Sequence, residues 1–175
     1  MYHTKIPASG EYPEFYQPYI GVIQSEDLIT NFREVHQSSL SLFGSYPENK
    51  WYYRYEEGKW HVKELLGHLC DAERIFSTRA LRFARNDQTP LPGFEQNDYV
   101  PESNVDHRSV PDLLEEYALL RNATIKLFEN LTPEMLQRQG TASGWPITVM
   151  AIGFVTVGHE KHHQNIFHER YFGNR

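Results

Sequence analysis

The sequence contains a single cysteine, Cys70, among its 175 residues. One cysteine excludes an internal disulfide and a zinc site built from several thiolates, because both need more than one sulfur. Long apolar runs are also missing: the longest, from Met150 to Gly158, is far shorter than the ~20 residues that cross a bilayer. The first sixteen residues lack both a basic start and an apolar core. We therefore expect a soluble, cytoplasmic protein without a membrane partner.

Positive charge is scarce as well. The formal net charge is −6 with neutral histidines, and the Lys and Arg residues are spread among acidic ones. A nucleic-acid-binding protein normally presents a basic face that neutralises phosphates. The composition therefore argues against a nucleic-acid partner, and we expect a small-molecule substrate instead. The length corresponds to one domain that can bury its own core.

Four segments keep the 3.6-residue apolar period of amphipathic helices. The pattern predicts a first helix from about 26 to 44 with Ser25 as its N-cap, and a second from about 61 to 86. A third is predicted from about 110 to 131 and a fourth from about 147 to 171. The predicted fold class is therefore all-α, a four-helix bundle.

The remaining segments connect these helices. Residues 1–24 combine prolines with aromatic residues and predict an irregular leader whose aromatics pack onto a body at 25–175. Residues 88–108 form one long crossover loop, which allows neighbouring helices to be non-sequential. A short helical turn is expected at 132–136 and an irregular bend at 140–146.

The spacing of three histidines predicts a metal site. His159 and His163 continue the apolar stripe of the fourth helix, and side chains four residues apart lie within about 6 Å. His68 lies on an apolar row of the second helix and can supply a third ligand. Three neutral imidazoles suit zinc, nickel, iron or copper and leave a position for water or substrate. The alternative is three core histidines, each of which would need its own hydrogen-bond partner.

The segments at 59–87, 90–100 and 148–167 resemble the DinB-like family of metal-binding four-helix bundles. The resemblance implies that a histidine in a GHL-type segment and a pair spaced by three in the last helix bind the metal. These positions are His68, His159 and His163. It also implies a homodimer and a divalent metal, with zinc or nickel ahead of iron.

The resemblance implies an enzyme that transfers a low-molecular-weight thiol to a small electrophile, or a metal-dependent hydrolase. In the first case the metal lowers the pKa of the thiol and makes it a nucleophile. A non-catalytic metal-binding stress-response protein and a bundle without metal are the alternatives of another class. The motifs do not distinguish the substrates.

The segment His159–His163 also fits the HExxH signature of zinc proteases, with Glu160 as general base. The metzincin extension of that signature would need a glycine at Ile166 and a histidine at Glu169. Neither is present. We therefore interpret Glu160 as a surface residue or a residue beside the site rather than a catalytic base.

Charged residues on the inner rows predict one further interaction. Glu73 and Arg121 would form a buried ion pair, unless both lie in water at the edge of the bundle. Four arginines of the second helix are interpreted as a solvated face or as dimer contacts: Arg74, Arg79, Arg82 and Arg85.

The other candidates receive structural interpretations. His61 is expected to cap the second helix, and Cys70 to be a small buried side chain that faces away from the metal. His162 is expected beside the site. No role is predicted for His36 or His168.

Overall fold

The structure is a computed structural model that describes residues 4–172, and within them the regular secondary structure is helical apart from one β-hairpin. The helices are α1 Gln17–Ile20, α2 Leu28–Gly44, α3 Val62–Ala84, α4 Gln96–Glu102, α5 Val110–Glu129, α6 Pro133–Gln137 and α7 Val149–Ile166. The strands are β1 Gln139–Ala142 and β2 Trp145–Thr148. Short 3-10 helices occupy Glu14–Tyr16, Glu48–Lys50 and Val105–His107, and a π-helical segment, Phe167–Phe172, continues α7.

The four long helices, α2, α3, α5 and α7, confirm the predicted four-helix bundle. Helices α2 and α3 each pack mainly against α5 and α7. Helices α2 and α3 are therefore diagonal in the bundle, as are α5 and α7, whereas the consecutive helices α3 and α5 are neighbours. The long connection that was predicted to be a crossover thus joins two neighbouring helices, which corrects that prediction, and it contains α4 rather than being entirely irregular. Within residues 4–172, no helix combines the length and the apolar composition that crossing a membrane requires.

The core consists of two apolar clusters. One includes Phe32, Phe83 and Phe154, and the other includes Leu66 and Phe167. Polar side chains from all four long helices are buried near the junction of the clusters: Ser39, His68, Glu73, Arg121, His159 and Glu160. The bundle therefore has a polar layer between two apolar ends.

The start of α2 differs from the prediction. Asp27, not Ser25, is the N-cap, because its side chain accepts the hydrogen bond from the Thr30 backbone. The Ser25 hydroxyl instead accepts a hydrogen bond from the Asp27 backbone N–H. Both residue types cap helices well, and the sequence places them only two positions apart.

The bend predicted at 140–146 is wrong, because β1 and β2 pair there as an antiparallel hairpin. Ala142 pairs with Trp145, which leaves a two-residue turn. Its residues, Ser143 and Gly144, have φ values of 54° and 82°. Two consecutive left-handed residues are typical of a type I′ turn, whose twist matches that of the strands.

The leader is less irregular than predicted, since it contains the 3-10 helix Glu14–Tyr16 and α1. Its expected packing is found: Tyr12 and Ile20 are buried, and α1 lies against α7. Gly158 permits this approach, because a Cβ there would collide with the backbone carbonyl of Tyr19. The leader therefore covers α7 immediately before His159.

Candidate metal centre

Three histidines predicted to share a site are brought together. Nε2 of His159 lies 3.1 Å from Nε2 of His68 and 3.2 Å from Nε2 of His163. His68 comes from the second turn of α3, and the other two occupy successive turns of α7. The three side chains form a group of possible metal ligands whose ligand atoms lie within 4.8 Å of one another.

The arrangement fits a divalent transition metal better than it fits a hydrogen-bonded cluster. A neutral imidazole nitrogen is either a donor or an acceptor, so Nε2 of His159 cannot form a full hydrogen bond of each kind with two neighbours. Nitrogens bound at ~2.0–2.1 Å in a tetrahedral site lie about 3.3 Å apart. The observed separations from His159 are close to that value. The three lone pairs could therefore be used together by one ion.

Burial keeps the imidazoles neutral, as metal ligation requires. Burial lowers the pKa of His68 to about 4. The pKa values of His159 and His163 are lowered well below the ordinary value, mainly by burial and further by the neighbouring histidines. All three side chains thus offer lone pairs rather than protons at neutral pH.

Aromatic rings surround the cluster. The ring of Trp60 lies 4.8 Å from that of His68, centroid to centroid. Tyr19 from α1 and Phe76 from α3 present their rings edge-on to His159, at 5.3 and 5.6 Å. These contacts fix the imidazoles and limit the access of water to them.

Two cavities reach the cluster from different sides. One, of about 220 Å³, touches His163 and is lined by Lys59, Trp60 and Asn97 among others. The other, of about 230 Å³, touches His159 and includes Phe76. The histidine group is therefore accessible to small molecules from two directions.

Glu160 is buried, which corrects its interpretation as a surface residue. One carboxylate oxygen accepts hydrogen bonds from the hydroxyls of Ser39 and Tyr117, and the other accepts one from Arg121. Arg121 also pairs with Glu73 at 2.8 Å, which confirms that predicted ion pair. Glu160 is thus held by α2 and α5, in an interaction that is separate from the histidine group.

Three other residues near the site, His61, Cys70 and His162, were given structural interpretations. His61 caps α3 and forms a capping box with Glu64, as expected. Cys70 is buried, and burial raises the pKa of its thiol. His162 is outside the histidine group and contacts the ring of Tyr19 at 5.3 Å.

The four arginines of the predicted second helix do not share one environment. Arg74 and Arg82 pair with acidic side chains at partly exposed positions, and Arg85 is exposed. Arg79 is only 4% exposed, so its interpretation as part of a solvated face is wrong. Its side chain crosses to the hairpin, which the sequence analysis did not predict.

Ser39 was not recognised as a member of the polar layer. Ser39 is completely buried, whereas the adjacent Leu40, the more apolar residue, is only partly buried. A signal was available, because Ser39 lies four residues after Val35 and four before Phe43, both of which are buried. A serine on such a row predicts a buried polar partner from another helix.

The comparisons with known proteins agree with this description. A family model described as the DinB superfamily matches residues 31–167. The solved structure of YfiT from Bacillus subtilis, described as a probable metal-dependent hydrolase with an unusual four-helix bundle topology, matches with a TM-score of 0.75. The two chains are 17% identical, and the match covers 97% of this chain and 94% of the other. At this identity the likeness shows a common fold. A search of curated proteins gave no significant match.

Proposed function

Because the chain belongs to the DinB superfamily, we propose that it is a metal-dependent enzyme that transfers a low-molecular-weight thiol to a small electrophile. The ligands would be His68, His159 and His163. The observation that carries the proposal is their convergence as three neutral imidazoles, two of them buried and that of His163 half-buried. Zinc or nickel suits this donor set, and iron is a further candidate.

A divalent ion held by three imidazoles supplies Lewis acidity, which lowers the pKa of a thiol or of a water molecule. The protein's own residues would bind the two substrates and orient them at the ion. Tyr19, Trp60 and Phe76 restrict the space around the imidazoles. This arrangement supports a site at which one small nucleophile meets one small electrophile.

The absence of a carboxylate base favours a thiol over water as the nucleophile. Among residues 4–172, the group of possible ligands contains three histidines and no acidic side chain. Glu160, the nearest acid in sequence, has both oxygens engaged. A thiol with a pKa of about 8.5 needs only a small shift to ionise at pH 7, whereas water must be shifted from about 15.7.

Access from two sides also supports a reaction with two substrates. The thiol would enter through one cavity and the electrophile through the other. In the transfer, sulfur forms a bond to an electrophilic carbon and the leaving group departs with the bonding electrons. The thiol proton passes to water.

The proposal is tested with 1-chloro-2,4-dinitrobenzene as electrophile and a panel of low-molecular-weight thiols. We expect about one metal ion per chain in elemental analysis, and thiol-dependent chloride release that stops when a chelator removes the metal. His159→Ala and His163→Ala should lose both metal and turnover. Turnover that persists without metal would refute the proposal.

His162→Ala is the matched control, because His162 adjoins His163 but lies outside the group. It should retain metal and most of the turnover. Cys70→Ser should also remain active, since the Cys70 thiol is buried and its pKa is raised. Loss of turnover in Cys70→Ser, with metal retained, would indicate that the protein supplies its own sulfur.

Hydrolysis is the second candidate, and the likeness to YfiT, described as a probable metal-dependent hydrolase, favours it. Metal-dependent release of p-nitrophenol from p-nitrophenyl acetate without added thiol would support hydrolysis. A protein that binds metal but has neither activity would support the non-catalytic alternative. The homodimer and the cytoplasmic location remain predictions, and sedimentation tests the first.

A further inference from the structure

Arg79 is a buried cation that no acidic side chain neutralises. It is 4% exposed, and among residues 4–172 it forms no ion pair, whereas Arg74, Arg82, Arg108 and Arg121 all do. A buried charge normally has an opposite partner, because removal from water is costly. Arg79 therefore lacks the acidic partner that a buried guanidinium ordinarily has.

The hydrogen bonds of Arg79 are to neutral groups. Its Nη2 donates to the carbonyl oxygen of Pro92 at 2.9 Å and to the hydroxyl of Ser143 at 3.1 Å. These bonds hold the guanidinium between α3 and the turn of the hairpin. Burial raises the pKa of Tyr16, and the nearby Arg79 charge partly offsets that rise. The guanidinium is thus fixed in position without being neutralised.

Arg79 lines the cavity that reaches His159. Phe76, which precedes it by one turn on the same face of α3, lies between them and contacts the imidazole of His159 at 5.6 Å. The cavity wall is otherwise largely aromatic, with Tyr16 and Phe94 among its residues. One end of the cavity is therefore a candidate reaction centre, and the other end is a cation.

We propose that Arg79 is an anion-binding residue that selects, as the electrophilic substrate, an elongated apolar molecule with a carboxylate at the end remote from its reacting carbon. The proposal rests on the proposed function for the identity of the reacting end. Phe76, which contacts His159, precedes Arg79 by three residues on α3, a rise of about 4.5 Å, so the carboxylate would lie at least one helical turn beyond the imidazole of His159. An aromatic or aliphatic spacer would contact Tyr16 and Phe76.

One acidic residue also lines this cavity. Glu95 caps α4 by accepting a hydrogen bond from the Asn97 backbone, and it is exposed. An exposed carboxylate is screened by water, whereas the buried guanidinium is not. The inner end of the cavity therefore favours an anion.

The test compares 3-phenylpropionate with its neutral isostere 3-phenylpropionamide by isothermal titration calorimetry. We expect the wild type to bind the anion about tenfold more tightly, the size of one charge-assisted hydrogen bond. Arg79→Gln should bind the two probes equally, and Arg85→Gln, at the exposed C-cap of the same helix, should keep the preference. A wild type without preference, or an Arg79→Gln protein that retains it, would overturn the proposal.

Two further measurements separate the alternatives. The titration is repeated on chelator-treated wild type, where the preference must persist; its loss would place the carboxylate on the metal and refute the role of Arg79. If Arg79→Gln does not fold, Arg79→Lys should retain a preference of the same sign. Nuclear Overhauser contacts between the probe ring and Phe76 in the wild type then show whether the probe binds in the cavity beside Arg79. The absence of such contacts would refute the proposed binding site.

These outcomes are independent of the proposed function. Anion preference in a protein that binds no metal and transfers no thiol would refute the proposed function alone. Metal binding and thiol transfer without anion preference would refute the Arg79 subsite alone. A purely structural Arg79 would lower the melting temperature on substitution but leave both probes equal in the wild type.

Discussion

The guanidinium of Arg121 lies 2.8 Å from the carboxylate of Glu73, and the same Nη2 atom also donates to Glu160. One buried cation therefore serves two buried acids, which come from α3 and α7. Its Nε and Nη1 atoms are buried without hydrogen-bond partners, and its guanidinium lies 5.0 Å from the ring centre of Phe32. The polar layer of the bundle depends on this single arginine.

Arg121→Leu should therefore destabilise the protein strongly, because it leaves two carboxylates buried without a cation. We expect a loss of about 3–5 kcal/mol in the free energy of unfolding, measured by urea denaturation. Glu73→Gln is the matched control. Burial raises the pKa of Glu73, so an amide resembles its protonated form, and the loss should be about 1–2 kcal/mol. Equal losses in the two variants would contradict this account.

Glu160→Gln separates structure from catalysis. The Glu160 carboxylate is occupied by Arg121, Tyr117 and Ser39, so the variant should lose stability. Because these contacts leave Glu160 no role as a general base, thiol-dependent turnover per folded molecule should change by less than about threefold. Loss of a true general base would instead lower turnover on the order of 10²-fold or more. Turnover is measured at a temperature where circular dichroism shows the variant folded. A hundredfold loss together with peptide cleavage would restore the protease interpretation.

The sequence predicted the four long helices because their apolar period repeats over four to six turns. It also predicted the histidine group, since His159 and His163 share a helical row and His68 occupies another. The hairpin was missed because β1 and β2 have four residues each, too few for a period to be recognised. The Ser143–Gly144 turn was the available signal.

Arg79 shows why the rest of the site could not be predicted. Periodicity assigns a side chain to a face of its own helix, but burial depends on what covers that face. Arg79 is buried by Pro92 and Ser143, which belong to segments without a helical period. The environment of a residue under a loop is a tertiary property, and a single sequence contains little information about it.

The contact between Gly158 and Tyr19 gives a prediction about the leader. A Cβ at position 158 would collide with the Tyr19 carbonyl, so Gly158→Ala should displace α1 from α7. We expect faster chymotryptic cleavage within residues 12–20 and a lower melting temperature. Gly44→Ala is the control, since nothing lies within 4 Å of its added Cβ. An unchanged cleavage rate in Gly158→Ala would contradict this prediction, because it would show that α7 shifts to accommodate the added methyl group and α1 stays in place.

The pH dependence of stability follows from the buried histidines. Burial lowers the pKa of His68 from its ordinary value of 6.5 to about 4. Above pH 6.5 the group is neutral in both the folded and the unfolded chain. As the pH falls below that value, the unfolded chain binds a proton that the folded chain excludes, so stability is lost until about pH 4. The shifts of His159 and His163 have the same sign.

Chelator-treated protein should therefore lose free energy of unfolding between about pH 6.5 and pH 4, as measured by urea denaturation across that range. The raised pKa of Glu73 acts in the opposite sense, so wild type is compared with His68→Gln. The wild-type slope should be steeper by about 1.4 kcal/mol per pH unit, the value for one proton. Identical slopes would refute the assignment.

The same shifts determine how acid removes a bound metal. An exposed three-histidine site begins to lose metal near pH 6, close to the unperturbed pKa of histidine. Here protons compete less well, because burial disfavours the protonated form of each ligand. Loaded protein dialysed at pH 5.5 should therefore retain most of its metal in elemental analysis, and lose it as the pH approaches 4. Complete release at pH 6 would show that the imidazoles are more accessible to water than their burial indicates.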